Sequence, residues 1–125
     1  MTKTKNTYRN TKEYAFIHAE LITAAKYRGT VTYQEIAKII GLPMKGNFMG
    51  SQIGHLLGEI SEDEVTNKRP MLSAIAVGVS GEPGPGFFTL AKQLGKLPDG
   101  MDKKTFWREQ CKAVYETWGV VLKPA

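Results

Sequence analysis

The chain has 125 residues, 42% of them hydrophobic and 23% charged, which fits one globular domain and leaves no room for a second core. One cysteine and two histidines exclude a disulfide framework, a cysteine-based metal cluster and a histidine-rich metal site. No apolar run is long enough to cross a membrane, and no hydrophobic stretch of signal-peptide type follows the basic N-terminus. We therefore expect a cytoplasmic protein that binds no membrane, metal or cofactor.

The net charge of +5 is unevenly distributed along the chain. Residues 1–12 contain four basic side chains and no acidic one, so the rest of the chain is nearly neutral. Residues 1–10 are polar, basic and poor in aliphatic side chains, which predicts a mobile basic tail, and residues 11–125 are predicted to form a single domain. An excess of basic residues favours nucleic acid as a partner, although the tail accounts for most of this excess.

The first half of the chain contains the start and stop signals of helices. Thr11 is predicted to cap a first helix that Gly29 ends. After a short extended link, residues 32–35 form a capping box that opens a second helix, and Gly41 stops it. A third helix is predicted from about Asn47 to Ile60.

The second half mixes an apolar run with turn signals. Residues 71–79 are apolar and bounded by turn-forming residues, which predicts a buried strand. After a turn rich in glycine and proline, Phe87 and Phe88 are expected either to return as a short strand or to begin the next helix. The last helix is predicted from about Asp102 to Trp118. This order predicts an α+β fold, a winged helix-turn-helix with a small antiparallel hairpin and additional C-terminal helices.

A resemblance to a known family rests on three segments. Residues 29–37 read GTVTYQEIA, and they are followed by Gly-Leu-Pro at 41–43 and by Asn-Phe-Met-Gly at 47–50. This part of the chain resembles the DNA-binding domain of alkylguanine-DNA alkyltransferases and of alkyltransferase-like proteins. The resemblance implies a winged-helix domain that binds DNA, and it aligns Tyr33 with the family's tyrosine near the extruded nucleotide.

The chain departs from this family at two places. Asn47 stands where the family has the arginine that fills the vacated position in the base stack. Pro70 is followed by Met-Leu-Ser, whereas the family's reactive motif is Pro-Cys-His-Arg, and Cys111 lies about forty residues away on a predicted apolar helix face. Because an alkyl acceptor needs an activated thiolate, alkyltransferase activity is excluded and we expect no enzymatic activity.

The third predicted helix carries the side chains best suited to DNA. Asn47, Ser51 and His55 form a polar row with Gln52 beside it, and such side chains can bond to bases or phosphates. A solvated polar face is the alternative interpretation of this row. With neighbouring basic residues, these side chains make up the predicted DNA contact set: Tyr33, Lys38, Lys45, Asn47, Ser51, Gln52, His55, Lys68 and Arg69.

Two further features of this helix need an explanation. Gly50, Gly54 and Gly58 recur every four residues on one flank, and each costs about 1 kcal/mol of helix propensity relative to alanine. Close packing of another backbone is the expected compensation, and we predict it for Gly54. The acidic residues between Glu59 and Glu64 are predicted to form a solvated helix end that repels DNA locally.

Non-enzymatic binding of duplex DNA is the leading hypothesis from the sequence. The alternative is a protein-interaction module on the same fold, such as an adaptor or inhibitor of a phage or mobile element, which the nearly neutral body and the acidic residues favour. A small enzyme that uses Ser73 or His55 is a third and weaker option, because no pair of nucleophile and base is recognisable.

Overall fold

The structure, a computed structural model, describes residues 6–42 and 46–120, and the side chains of residues 46–48 are outside this description. Within these ranges, five α-helices and two short strands surround a single 3-10 helix. In chain order they are α1 (Lys12–Lys26), β1 (Val31–Thr32), α2 (Tyr33–Ile40), α3 (Gly46–Thr66), the 3-10 helix (Leu72–Ile75), β2 (Ala76–Val77), α4 (Pro85–Gln93) and α5 (Lys103–Trp118).

Three helices begin at the residues that the sequence indicates. Thr11, Thr32 and Asp102 cap α1, α2 and α5, and the side chain of each accepts a hydrogen bond from the backbone N–H three residues further on. Gly41 ends α2 with φ at 77°, in the left-handed region that favours glycine. These caps confirm the predicted starts of the three helices and the predicted end of α2.

The predicted winged helix and its antiparallel hairpin are wrong. Val31 of β1 pairs with Ala76 of β2 in parallel, so the sheet of the described residues consists of two short parallel strands. Phe87 and Phe88 lie inside α4, because Pro85 in the first turn has the fixed φ of a helix start and needs no backbone donor there. The chain is therefore mostly helical, and the α+β assignment is corrected accordingly.

The apolar run that predicted a buried strand is buried but largely helical. Residues 72–75 form the 3-10 helix, and only Ala76 and Val77 are extended. A short apolar run does not distinguish a strand from a buried helical turn, because both bury every side chain. The segment packs against α1, α3 and α5, and so it lies at the centre of the core.

The third helix continues past the predicted end at Ile60 and includes the acidic stretch to Thr66. Its apolar face enters the core together with one face of α1 and one of α5. No helix in the described part of the chain combines the length and the apolar composition needed to cross a bilayer. The fully or almost fully buried side chains of this core include Ile17, Leu21, Ile53, Leu56, Ile60, Leu72, Ile75, Phe106 and Val114.

Candidate functional site

An apolar pocket of about 550 Å³ lies between the N-terminal half of α3 and the start of α4. Met49, Ile53 and Leu57 of α3 form one wall, and Phe87 and Leu90 of α4 form another. A cavity of several hundred Å³ with hydrophobic walls and few polar groups is typical of a ligand site. The walls suit an apolar or aromatic group.

Glycines on the flank of α3 keep this pocket open. A Cβ atom placed on Gly50 or on Gly54 meets no atom within 4 Å, and both residues are exposed. The close packing predicted for Gly54 is therefore wrong, and the flank faces the pocket instead. The glycine repeat identified this flank in the sequence, but it does not predict which part of the protein the flank faces.

Tyr33 borders the pocket at the first residue of α2. Its hydroxyl oxygen accepts a hydrogen bond from Gly84 N at 2.7 Å, and its ring lies 3.8 Å from the Cβ position of Gly78. Burial raises the pKa of the Tyr33 phenol against the opposing effect of the Gly84 hydrogen bond, so the hydroxyl stays protonated at neutral pH. Tyr33 therefore fixes the turn between β2 and α4 against α2.

Ser73, with 5% of its surface exposed, is the most deeply buried polar residue of the pocket lining. The hydroxyl of Ser61 donates to Ser73 Oγ at 2.7 Å, and Ser73 N donates to Ser61 Oγ at 3.1 Å. This pair joins α3 to the 3-10 helix. With Ser61 as the donor of this pair, the hydroxyl hydrogen of Ser73 has no other acceptor among the described residues.

The acidic stretch of α3 is buried, and the prediction of a solvated helix end is wrong. Glu59, Glu62 and Glu64 are 0%, 5% and 1% exposed, and Asp63 is half-buried beside them. We refer to these four residues as the acidic cluster. Buried carboxylates require hydrogen bonds and opposite charges, so the partners of the cluster decide whether this part of α3 is stable.

The N-terminal segment, residues 6–10, covers one side of the acidic cluster. The backbone N–H groups of Thr7, Tyr8 and Arg9 donate to the Glu59 carboxylate, with N–O distances between 2.9 and 3.3 Å. The Arg9 guanidinium lies 2.8 Å from Glu62 and 3.0 Å from Asp63. The second half of the predicted mobile tail is therefore anchored to α3, and its first half, residues 1–5, lies outside the described residues.

Glu64 has its partners on the opposite side of the cluster. Its carboxylate lies 2.9 Å from His18 Nε2 and 2.7 Å from Arg69 Nε. Burial opposes the ionisation of Glu64, but the hydrogen bonds with His18 and Arg69 outweigh burial and lower the pKa of this carboxyl. No sequence signal links His18 to Glu64, because the two residues are far apart in the chain.

Besides Tyr33, three members of the predicted DNA contact set make contacts inside the protein. His55 lies 3.3 Å from Glu59, and Arg69 is paired with Glu64. Gln52 accepts a hydrogen bond from the hydroxyl of Tyr8. These side chains on and just after α3 are thus engaged within the protein.

The remaining members differ in exposure. Lys38, Ser51 and Lys68 are exposed, whereas Lys45 and the side chain of Asn47 lie outside the described residues. Ser51 and Lys68 are near opposite ends of α3, a helix about 30 Å long, so one short surface does not contain both. Lys38 and Ser51 are the described members that remain open to solvent near the N-terminal half of α3.

Internal pairing of the acidic cluster changes the charge of the remaining surface. The cluster contains four of the twelve acidic residues of the chain, and among the described lysines and arginines Arg9 and Arg69 pair with it. Outside the cluster and these two arginines, the described residues include eleven basic and eight acidic side chains, an excess of three positive charges. The acids expected to repel DNA are covered by the protein itself.

Cys111 lies on α5 and packs against the segment that follows Pro70. Its Sγ atom lies 3.5 Å from the carbonyl oxygen of Ala74, and burial raises the pKa of its thiol to about 11. The thiol is therefore not ionised at neutral pH and is a poor nucleophile.

Within residues 6–42 and 46–120, no three histidine, cysteine or carboxylate side chains are arranged to hold a metal ion. Comparison with protein-family models, with curated proteins and with solved structures finds no match to this chain.

Proposed function

We propose that this protein binds DNA without enzymatic activity, through the N-terminal half of α3 and the pocket beside it. The observation that carries the proposal is the internal pairing of the acidic cluster, outside which the described residues carry an excess of three positive charges. Attraction to phosphates supplies most of the non-specific affinity of DNA-binding proteins. A surface with this excess, from which Glu59, Glu62 and Glu64 are buried, suits a polyanion.

The contact region of this proposal is smaller than a helix lying full-length in the major groove. The N-terminal segment contacts α3 from Gln52 to Asp63. We therefore assign the DNA contacts to the first turns of α3, where Asn47 lies in the sequence, and to Lys38 on the neighbouring helix α2. Lys45 lies between the two helices in the sequence. Lys38 and Lys45 would contact phosphates, and Ser51 would contact a base edge or a phosphate.

The pocket gives this interface a second element, a place for an unstacked base. It opens beside Gly50 and Gly54, next to the proposed contacts, and its apolar walls suit a flat ring. Tyr33, which the resemblance aligns with a tyrosine near an extruded nucleotide, lines it. Asn47 replaces the arginine that fills the vacated stack, so we expect a preference for DNA in which a base is already unpaired and less costly to extrude.

A titration by fluorescence anisotropy tests the proposal with two duplexes of equal length, one fully paired and one with a single unpaired thymine. Affinity for both should fall steeply between about 50 and 200 mM salt as counterions are released. The duplex with the unpaired thymine should bind more tightly. Absence of binding to either duplex at low salt, with the full chain folded, would overturn the proposal.

Two variants separate the pocket from the charge. Gly54→Leu fills the pocket and should abolish the preference for the unpaired thymine while the salt-dependent binding remains. Ala19→Leu adds the same side chain at an exposed position of α1 and should retain the preference. Equal preferences in both variants would show that the pocket does not hold the base.

A protein-interaction module is the second candidate, and the hydrophobic lining of the pocket favours it. Interfaces between proteins often centre on a large apolar side chain that fills such a pocket. In that case Gly54→Leu would block the partner, and neither duplex would bind at low salt. The same titration therefore decides between the two candidates.

A further inference from the structure

We infer that Ser73 is a specificity-determining residue of the pocket, and that its hydroxyl donates a hydrogen bond to an acceptor atom of the ring that enters. This inference rests on the proposed function and names the chemistry of the group that the pocket takes. The ring should carry a carbonyl oxygen or an unprotonated ring nitrogen, as nucleobases do.

The contacts of Ser73 with Ser61 decide which part of its hydroxyl is available. A serine hydroxyl offers one hydrogen and two lone pairs. One lone pair of Ser73 Oγ accepts from Ser61 at 2.7 Å, and the return bond from Ser73 N holds the two residues in register. Ser61 is fully buried, and Ser73 Oγ is the acceptor that the described residues offer to its hydroxyl hydrogen. Ser61 is therefore assigned as the donor, and the hydrogen of Ser73 remains for a ligand.

The surroundings make this spare donor selective. Ser73 is 5% exposed, and the buried residues that line the pocket near α3 and α4, Ile53, Leu57 and Phe87, are apolar. Of the other polar side chains in the lining, Thr89 donates to Pro85 O and Gln93 is exposed. A group that displaces water from this pocket must therefore satisfy the Ser73 hydrogen or leave a buried donor unpaired.

The hydroxyl of Tyr33 has the same hydrogen-bonding pattern as the hydroxyl of Ser73. Its hydroxyl accepts from Gly84 N, and its own hydrogen has no acceptor among the described residues. Two hydroxyls that each accept internally therefore border one pocket, and each has its hydrogen available. This arrangement favours a ring with hydrogen-bond acceptors over a hydrocarbon-like ring of the same shape.

A pair of matched probes tests the inference. The duplex with one unpaired thymine is compared with the same duplex in which the thymine is replaced by its nonpolar shape mimic difluorotoluene. The ratio of the two affinities is measured for the natural protein and for Ser73→Ala, so that differences in stacking and hydration cancel. We expect Ser73→Ala to lower the preference for thymine about three- to tenfold, the contribution of one hydrogen bond.

Two further variants keep the result interpretable. Ser73→Ala leaves the Ser61 hydroxyl without its acceptor, whereas the double variant Ser61→Ala/Ser73→Ala removes both hydroxyls but also the acceptor of the Ser73 N–H. The two variants differ in the group they leave unpaired, so the same lowered ratio in both, with each shown to be folded by its melting temperature, assigns the effect to the Ser73 hydroxyl. Thr117→Ala removes a hydroxyl from α5 and should leave the ratio unchanged.

The outcomes distinguish the inference from the proposed function. An unchanged ratio in Ser73→Ala and in the double variant, with both probes bound, would overturn the inference and leave DNA binding in place. Failure of the natural protein to bind either probe at low salt would overturn the proposed function, and the inference with it.

Discussion

The backbone N–H of Arg9 donates a hydrogen bond to the Glu59 carboxylate across 2.9 Å, which joins the N-terminal segment to the middle of α3. The same arginine presents its guanidinium to Glu62 and Asp63. One residue thus contributes both main-chain and side-chain donors to carboxylates that the protein buries. The stability of α3 depends on a segment that precedes the first helix.

Arg9→Ala should therefore destabilise the protein. The substitution leaves Glu62 and Asp63 without their guanidinium partner, and removing one member of a buried ion pair leaves an uncompensated charge. We expect a loss of about 2 to 3 kcal/mol in the free energy of unfolding, measured by urea denaturation at neutral pH. Lys12→Ala, at an exposed basic residue nearby, should change stability by less than about 0.5 kcal/mol. Equal effects of the two variants would contradict the role of Arg9.

Glu64 should make stability depend on acid pH. The pKa of Glu64 in the folded protein lies below its ordinary value of 4.5, so the ionised form is favoured by folding. Its contribution is present above pH 4.5 and is lost as pH falls through the lowered pKa of the folded state. Urea denaturation at a series of acid pH values should show this loss, and Glu64→Gln should reduce it. An identical pH profile in Glu64→Gln would rule out this linkage.

Gly54→Ala should stabilise the protein by about 0.5 to 1 kcal/mol, because alanine favours the helix and the added Cβ meets open space. Gly41→Ala is a matched control with the opposite expected sign, since Gly41 adopts a φ of 77° that strains alanine. Melting temperatures of the two variants provide the comparison. A lower melting temperature for Gly54→Ala would mean that the flank is packed after all.

Tyr33→Phe should loosen the turn between β2 and α4. The substitution removes the acceptor of Gly84 N–H, and we expect a loss of about 1 kcal/mol in stability. Hydrogen exchange of the Gly84 amide should become faster, while exchange in α5 should change only with global stability. Unchanged protection of the Gly84 amide would show that another group satisfies it.

Cys111 should react slowly with thiol reagents in the native protein, because its thiol is half-buried with a pKa near 11. Labelling should accelerate strongly in denaturant, where the thiol becomes accessible. Cys111→Ala should leave DNA binding unchanged and cost on the order of 1 kcal/mol. Rapid labelling of the native protein would reopen a covalent mechanism.

The sequence predicts those parts of the fold that depend on interactions between residues close together in the chain. Thr32 and Gly41 act on groups no more than four residues away, so their cap geometry follows from local spacing. The pairing of Val31 with Ala76 has no such signal, because it joins two short segments across two helices. The apolar composition of these segments predicts burial without predicting a partner.

In the candidate site, too, the sequence predicts local features but not the contacts between distant segments. The repeat of Gly50 and Gly54 marks a special flank, but only the position of α4 shows that the flank faces a pocket. The acidic residues resemble a solvated helix end, because the arginine that pairs with most of them is about fifty residues away. Charge patterns along one helix do not reveal a partner from a distant segment.

The short parallel sheet has a consequence for the order of folding. Val31 and Ala76 are 45 residues apart, and their pairing closes a loop that contains both α2 and α3. Closing a loop of this length costs conformational entropy before its contacts compensate, whereas the helices form through local contacts. We expect α2 and α3 to be helical before β1 meets β2. Because β2 leads directly into the turn and into α4, the cavity beside α3 would be completed in the last step of folding.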